Sequence, residues 1–548
     1  MAKKSFIQGA AVLAVAGLLV KVLGAIFKIP LGNMIGADGM AYYNPAYYVY
    51  NFFLTLATAG IPVAISRMVS ERVSFGQFRE AHHVFKISRA LMMAIGVGSF
   101  IIVFFGAEIL AQASNVPGAA MSMRAISPAL IFVPLMASYR GYFQGMQEMT
   151  PTAVSQVVEQ VFRVVVGLSL AYFLYHGALE LGAASRFDPK EIGAAGATLG
   201  AAAGAVGGLL VMLIVYFRSK GKIKNRIARE RKGGPRSARE SSRTILKKII
   251  VIALPITIGA CIMPIVNLID VAIVVRRLME SGLERAVAEN MYGQLSSFAG
   301  SLINFPQVLT QAVAMSLVPL VAAAFKQRDL PYLRENVQYG LRMSVILGLP
   351  CALGLFALAE PILVLLYPSQ QASAIGAAPA LMVMSIGVVF LSTVQTLTGV
   401  LQGIGKQMIP VRNLAVGVIA KIAITWVLTG IPAINVLGAA AGTVTAYLIA
   451  SILNILAVRK YTGTYFDFVA TAVKPFISSL VMAVCAWGSY QLLFALLNGS
   501  RMATVLAILF AIIVYAVMVL LTRTITKDEI SRMPKGEKIV RILDKFIK

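Results

Sequence analysis

The chain is 548 residues long, 58% hydrophobic and only 13% charged, with a formal net charge of +26. A soluble globular protein carries about a quarter of its residues as Asp, Glu, Lys and Arg, so this composition excludes an ordinary soluble domain and points to a polytopic membrane protein. In such a chain the placement of positive charge says more than its sum.

Apolar runs of about 20 residues, the length that crosses a bilayer as a helix, recur along the whole chain. Backbone polar groups find no water in lipid, so helices are the expected spanning element. In chain order the first seven spans fall near 5–30, 41–66, 88–111, 119–139, 151–176, 192–217 and 247–275. The second seven fall near 291–325, 340–360, 374–402, 408–430, 435–458, 472–497 and 502–522. The opening "MAKKSF" has the look of a signal peptide, but the apolar run continues through Lys21 to Pro30 with no cleavage context, and is read as a retained first helix. The second span starts with "YYNPAYYVYNFF", expected to form an interfacial aromatic belt, with stacking on sugar rings as the alternative. In the sixth, Gly196, Gly200 and Gly204 recur every four residues, which makes a close-packing face. Cys261, Cys351 and Cys485 all lie in apolar runs and read as small core residues.

Lysine and arginine test the span count. With the N-terminus placed in the cytoplasm and residues near span ends counted with the adjoining segment, 38 of the 49 fall on the inside, 7 on the outside and 4 deeper within spans (Lys21, Lys28, Arg163 and Lys421). That asymmetry is what the positive-inside rule expects, and it puts both termini in the cytoplasm. The richest segment, Arg218 to Lys248, lies at the middle of the chain and is expected to anchor on anionic lipid head groups. It has no interleaved aromatics, which argues against nucleic acid. In the tail, Ile539, Ile542, Leu543, Phe546 and Ile547 share one helical face, the pattern of an amphipathic surface helix.

The chain repeats itself. "RGYFQGMQEMTP" from Arg140 matches "TGVLQGIGKQMIP" from Thr398: Gly141 with Gly399, Gln144 with Gln402, Gly145 with Gly403 and, after a one-residue shift, Pro151 with Pro410. "GAAGATLGA" from Gly193 resembles "GAAAGTVTA" from Gly438. Six helices return the chain to its starting side, so the two halves have the same orientation and a parallel repeat is expected. The expected organisation is a six-helix lobe at 1–217, a basic linker at 218–246, a second lobe at 247–458, two additional helices at 459–522 and a tail at 523–548. The fold class is therefore all-α, with fourteen transmembrane helices: two parallel six-helix lobes around a central cavity, plus two C-terminal helices.

An ionisable residue at mid-membrane costs about 2.5–3.5 kcal/mol on insertion scales and normally faces protein or water. Glu159 and Arg163 are spaced i, i+4, so one expectation is a structural ion pair between them; the other is a cavity wall that offers the guanidinium to a substrate. Lys421 occupies the point of the repeat that corresponds to Arg163, with Gly417 where an acidic neighbour would stand. Lys21 sits midway along the first helix. Lys28 and Arg67 lie nearer span ends, where snorkelling competes with a cavity role. Asp270 shares a helix face with Asn267 and is read either as an ion ligand or as the balance to a lysine. His82, His83 and His176 have no acidic partner in sequence, so no catalytic residue and no metal site is expected. No nucleotide-binding loop is present and no cofactor is expected.

"RGYFQGMQEMTPTAVSQVVEQVFR" together with "GIPVAISRMVSE" and "VLGAIFKIPLGNMIGADG" resembles the multidrug/oligosaccharidyl-lipid/polysaccharide exporter superfamily, in its stage V sporulation protein B and MurJ-type lipid II flippase branch. The resemblance covers essentially the whole chain. It departs at "GSLINFPQ", where Ser301 stands near a position that is basic in the Gram-negative group; Lys21 falls where the family has Arg or Lys. The resemblance implies a flippase, not an enzyme, in the bacterial cytoplasmic membrane. The implied partners are a lipid-linked sugar pyrophosphate and anionic membrane lipids. No nucleic acid is implied, and a monomer is expected to suffice. Lys21, Arg163, Lys421, Lys28, Arg67 and Glu159 are the substrate-binding candidates. A cationic cavity suits a pyrophosphate and suits a cationic drug badly.

The topology is testable in a background freed of the three cysteines. Ser241→Cys is expected to resist a membrane-impermeant maleimide in intact cells, and Ser185→Cys to be labelled; the reverse pattern would invert the assignment.

Overall fold

The computed structural model describes residues 2–185, 187–232 and 240–525. The expected tail helix and the middle of the basic linker lie outside the described residues. The helices are α1 (Ala2–Thr58), α2 (Ile61–Ser74), α3 (Phe78–Ala113), α4 (Ala119–Ile126), α5 (Ala129–Gly145), α6 (Thr150–Leu181), α7 (Pro189–Lys232), α8 (Ser242–Glu280) and α9 (Arg285–Gly293). They continue with α10 (Gly300–Gln327), α11 (Leu330–Ala357), α12 (Ala359–Leu366), α13 (Gln371–Gly403), α14 (Met408–Thr429), α15 (Leu437–Thr462), α16 (Lys474–Leu496) and α17 (Met502–Leu521). A π-helical turn, Gln294–Ala299, joins α9 to α10. There are no strands among the described residues.

Among the described residues, thirteen helical stretches are long and apolar enough to cross a membrane. The first, Val15–Ser74, is 60 residues long. At 1.5 Å per residue that is about 90 Å, some three times the hydrocarbon thickness. It cannot be one crossing. Gly36 interrupts α1 with φ 70° and ψ −177°, a conformation that is essentially glycine-only, so α1 holds the first span and most of the second. Fourteen membrane helices result among the described residues, as expected.

The chain forms two compact units. One holds the described residues of Met1–Ser301 with Trp426–Val436; the other holds those of Leu302–Thr425 and Leu437–Lys548. In the first unit α8 and α9 pack with the helices of the first half: a methyl group built on Gly60 would meet the Ala253 carbonyl at 2.2 Å, and one on Gly293 would meet that of Ala37 at 1.9 Å. Asn44, fully buried, donates to Ser296 Oγ at 2.8 Å and to Ser297 Oγ at 2.6 Å on the π-helical turn.

The internal repeat is visible as repeated contacts within each unit. In the first, a methyl group on Gly141 would lie 2.9 Å from the Pro62 carbonyl oxygen, and one on Gly145 2.7 Å from Val69 Cβ. In the second, one on Gly399 would lie 2.7 Å from the Ala314 carbonyl oxygen, and one on Gly403 2.9 Å from Val321 Cγ1. The matched glycines thus let α5 press on α2 and α13 press on α10. Both helices end in the same cap. Glu148 N–H donates to Phe143 C=O at 2.9 Å and Lys406 N–H to Leu401 C=O at 2.8 Å, each over a left-handed residue, Gln147 at φ 63° and Gly405 at φ 77°.

The glycine ladder of α7 does what its spacing implies. Methyl groups on Gly196, Gly200 and Gly204 would meet α6 at the Leu170 carbonyl (2.8 Å), Gly167 Cα (2.4 Å) and the Glu159 carbonyl (2.5 Å). In the second unit Gly417 and Gly442 bring α14 and α15 together in the same way.

The near end of the basic linker is helical and packed on protein. Helix α7 runs on to Lys232, well past the expected end of the span. Arg226 sits 5.6 Å over the Phe78 ring, and Glu230 accepts from the Arg79 N–H at 2.8 Å. The linker's near end is thereby docked on the α2–α3 turn.

The shared cap can be probed by exchange. Gln147→Gly is expected to stabilise the protein by about 1 kcal/mol and Gly405→Gln to destabilise it by a similar amount. These should appear as opposite shifts in thermal unfolding of the purified protein, and shifts of the same sign would contradict the repeat of the cap.

Candidate functional site

Tyr43, Tyr47 and Tyr50 fall at i, i+4 and i+7 along α1 and so share one face. Tyr43 and Tyr47 stack, with ring centres 5.9 Å apart and planes within 9°, and Tyr50 follows at 5.9 Å from Tyr47. Phe27 closes the row at 6.1 Å from Tyr43. Tyr43 and Tyr50 are each only 2% exposed, which corrects the expectation of an interfacial belt for this part of the aromatic run. The face is turned into the protein because Phe27, Leu31, Ile35, Met40 and Tyr43 pack on Ala171, Ala194 and Ala197 of α6 and α7.

Arg163 of α6 meets this row. Its guanidinium carbon lies 4.8 Å from the centre of the Tyr47 ring, a cation–π contact. Tyr43 and Tyr50 also lie within its electrostatic reach. So does Lys28 of α1. Neither Lys28 nor Arg163 makes a salt bridge among the described residues. Lys21 lies seven residues before Lys28, two helical turns, and therefore on the same stripe of α1; its side chain is exposed.

Glu159 does not pair with Arg163. Its Oε2 accepts from Arg140 Nη2 of α5 at 2.8 Å, while Arg140 Nε donates to Ser155 Oγ, also at 2.8 Å. The i, i+4 spacing permitted the pair, but a neighbouring helix supplied a better-placed guanidinium. Arg140, expected in an inside loop, is thus the missed residue of this cluster. Its only sequence signal was its position at the start of the repeated motif.

The other candidates lie elsewhere. Arg67 lines a cavity formed by the ends of α2 and α8 and the start of α3. Asp270 on α8 is half-buried and within electrostatic reach of Tyr48 and Tyr292, which hydrogen-bond to each other; Asn267, one turn earlier, is half-buried too. Lys421, in the second unit, is only 8% exposed on α14. The Asn413–Asn454 hydrogen bond of 2.9 Å lies on the same helix pair. The carbonyls of Arg163 and Lys421 are covered alike: methyl groups on Gly200 and Gly442 would lie 2.8 and 3.0 Å from them.

The Arg140–Glu159 bridge has a measurable signature. Arg140→Ala and Glu159→Gln are each expected to cost about 1–3 kcal/mol of stability, and the double variant less than the sum of the two. Additive losses in thermal unfolding would show that the bridge contributes nothing.

The sequence model of the polysaccharide biosynthesis protein family matches residues 6–325, and the MatE model matches residues 293–427. The chain is 27% identical over 494 residues to the lipid II flippase MurJ of Bacillus subtilis (strain 168), covering 87% of each protein. It is 26% identical over 548 residues to stage V sporulation protein B of the same organism, covering 99% of this chain and 100% of that one. Among solved structures, the lipid II flippase MurJ in an inward closed conformation superposes with a TM-score of 0.66 at 13% identity, over 93% of this chain and 98% of that chain. An inward-facing multidrug resistance MATE transporter gives 0.64 at 17% identity, over 81% and 94%. This multi-pass membrane protein belongs to the polysaccharide biosynthesis protein family.

Proposed function

We propose that the protein is a flippase for a lipid-linked oligosaccharide, and that its substrate is the peptidoglycan precursor lipid II, carried from the inner to the outer leaflet of the bacterial cytoplasmic membrane. The observation that carries this reading is the Lys28–Arg163 pair. Two like charges inside the span region, without a salt bridge among the described residues, are stable only where water or an anion meets them. A pyrophosphate is such an anion, and arginine grips it through two hydrogen bonds at once. The Tyr47 ring meets the guanidinium as well. Lys21, on the same stripe, extends the cationic surface along α1.

In this reading the halves work by alternating access, with both termini in the cytoplasm and Lys421 as the second unit's counterpart to Arg163. Asp270 and Asn267 are placed as charge-balancing or ion-binding residues. An inside-negative potential favours outward movement of an anionic head group by about 2.3 kcal/mol per charge per 100 mV. The lipid tail stays in the bilayer throughout, so only the head group needs a polar path.

A second reading is a flippase for another undecaprenyl-linked polysaccharide intermediate. The family's description and the near-complete alignment with a sporulation protein favour keeping it.

The test is the exposure of lipid II at the outer leaflet in cells that depend on this protein alone. Depletion is expected to abolish exposure, and Lys28→Ala with Arg163→Ala to reduce it at least tenfold with the protein still in the membrane. Normal exposure after depletion would reject lipid II as the substrate. Normal exposure with the double variant would reject the cationic pair as its site.

A further inference from the structure

A second polar site lies at the ends of the spans, within the first unit. A cavity of about 940 Å³ opens between the last turns of α2, the first turn of α3 and the first turns of α8. Ser241 caps α8 through a 3.2 Å bond from the Thr244 N–H and so fixes the chain's entry beside it. Glu240, just before the cap, accepts from both Arg72 and Lys248. Lys248 and Arg72 hold its carboxyl below the usual carboxylate range. In that three-member clamp one carboxylate meets two of the four cations in the wall and leaves one positive charge in excess.

The other two, Arg67 and Lys247, make no ion pair among the described residues. The wall also carries Glu71 and Glu80. Glu80 is only 5% exposed, and its Oε2 is buried with no hydrogen-bond partner among the described residues. A buried acceptor left without a donor costs about 1–3 kcal/mol, and its presence in a cavity wall points to a donor brought by a ligand. The rim is apolar: Phe75 and Val251 are 75% and 63% exposed.

We propose that this cavity binds a zwitterionic glycerophospholipid, its phosphate against Arg67 and Lys247, its primary ammonium against Glu80 and Glu71, and its acyl chains running past Phe75 and Val251 into the bilayer. A purely anionic lipid satisfies the cations but leaves the Glu80 oxygen without a donor and adds repulsion from Glu71. A bare cation satisfies the acids but faces Arg67 and Lys247. Only a ligand bearing both charges meets both walls. The volume lies within the range of small-molecule sites. The cavity lies where α2 ends at Ser74 and where α3 and α8 begin at Phe78 and Ser242, helix ends set in this proposal at head-group level. The site stands apart from the proposed flipping reaction and does not rest on it.

The experiment is native mass spectrometry of the purified full-length protein, titrated at equal concentrations with phosphatidylethanolamine, phosphatidylglycerol and phosphatidylcholine. Phosphatidylethanolamine is expected to bind at least fivefold better than either, because phosphatidylcholine has no N–H to give Glu80. Arg67→Ala with Lys247→Ala is expected to lower its binding at least fivefold, and Glu80→Gln to erase its advantage over phosphatidylcholine. Equal binding of phosphatidylglycerol to the unaltered protein would overturn the proposal without reference to any variant. So would unchanged binding by the double variant, or competition by soluble phosphoethanolamine at the lipid's own concentration.

Discussion

A guanidinium inside a bilayer has to be met by something, and most of the first unit is arranged around how Arg163 is met. No carboxylate among the described residues closes a salt bridge with it. The one on its own helix, Glu159, is taken by Arg140 across the α5–α6 contact. What remains is the Tyr47 ring, which accepts the cation through its π-face beside Tyr43 and Tyr50, and a second cation, Lys28, that repels it. Such an arrangement is stable against water or an anion and unstable against lipid tails. The same constraint sets the course of α1, because the Gly36 break lets Lys28 and the tyrosine row belong to two consecutive spans that both reach α6.

Close helix packing makes this possible. Small residues allow backbones to approach where lipid offers no hydrophobic drive for association. The ladder Gly196–Gly200–Gly204 presses α7 on α6 behind Arg163, and the Gly417 and Gly442 contacts do the same around Lys421. The repeated motif has a plain mechanical content. Its two glycines seat one helix on another, and its next residues cap the helix in a left-handed turn. Glycine takes that turn freely in the second half, while glutamine takes it in the first against its own preference. The basic linker is likewise a packed element at its described ends, docked through Glu230 and Glu240, whose carboxylates are the acidic exceptions in a run of lysines and arginines.

The sequence by itself determined the class and the number of membrane helices, because twenty-residue apolar runs and the distribution of positive charge are local properties that lipid imposes directly. It also determined the repeat and the close-packing faces, since glycine spacing alone decides where a helix surface is flat. Only the tertiary structure decided the partners. Whether Glu159 meets Arg163 on its own helix or Arg140 on the next depends on the rotation of one helix against another. So does whether the tyrosines face an interface or a guanidinium, and whether Arg67 joins Arg163 or lines a separate cavity with Lys247. Spacing along one helix fixes which side chains share a face, but a charge settles on whichever neighbour lowers its energy most, and that neighbour is brought by packing between segments far apart in the chain.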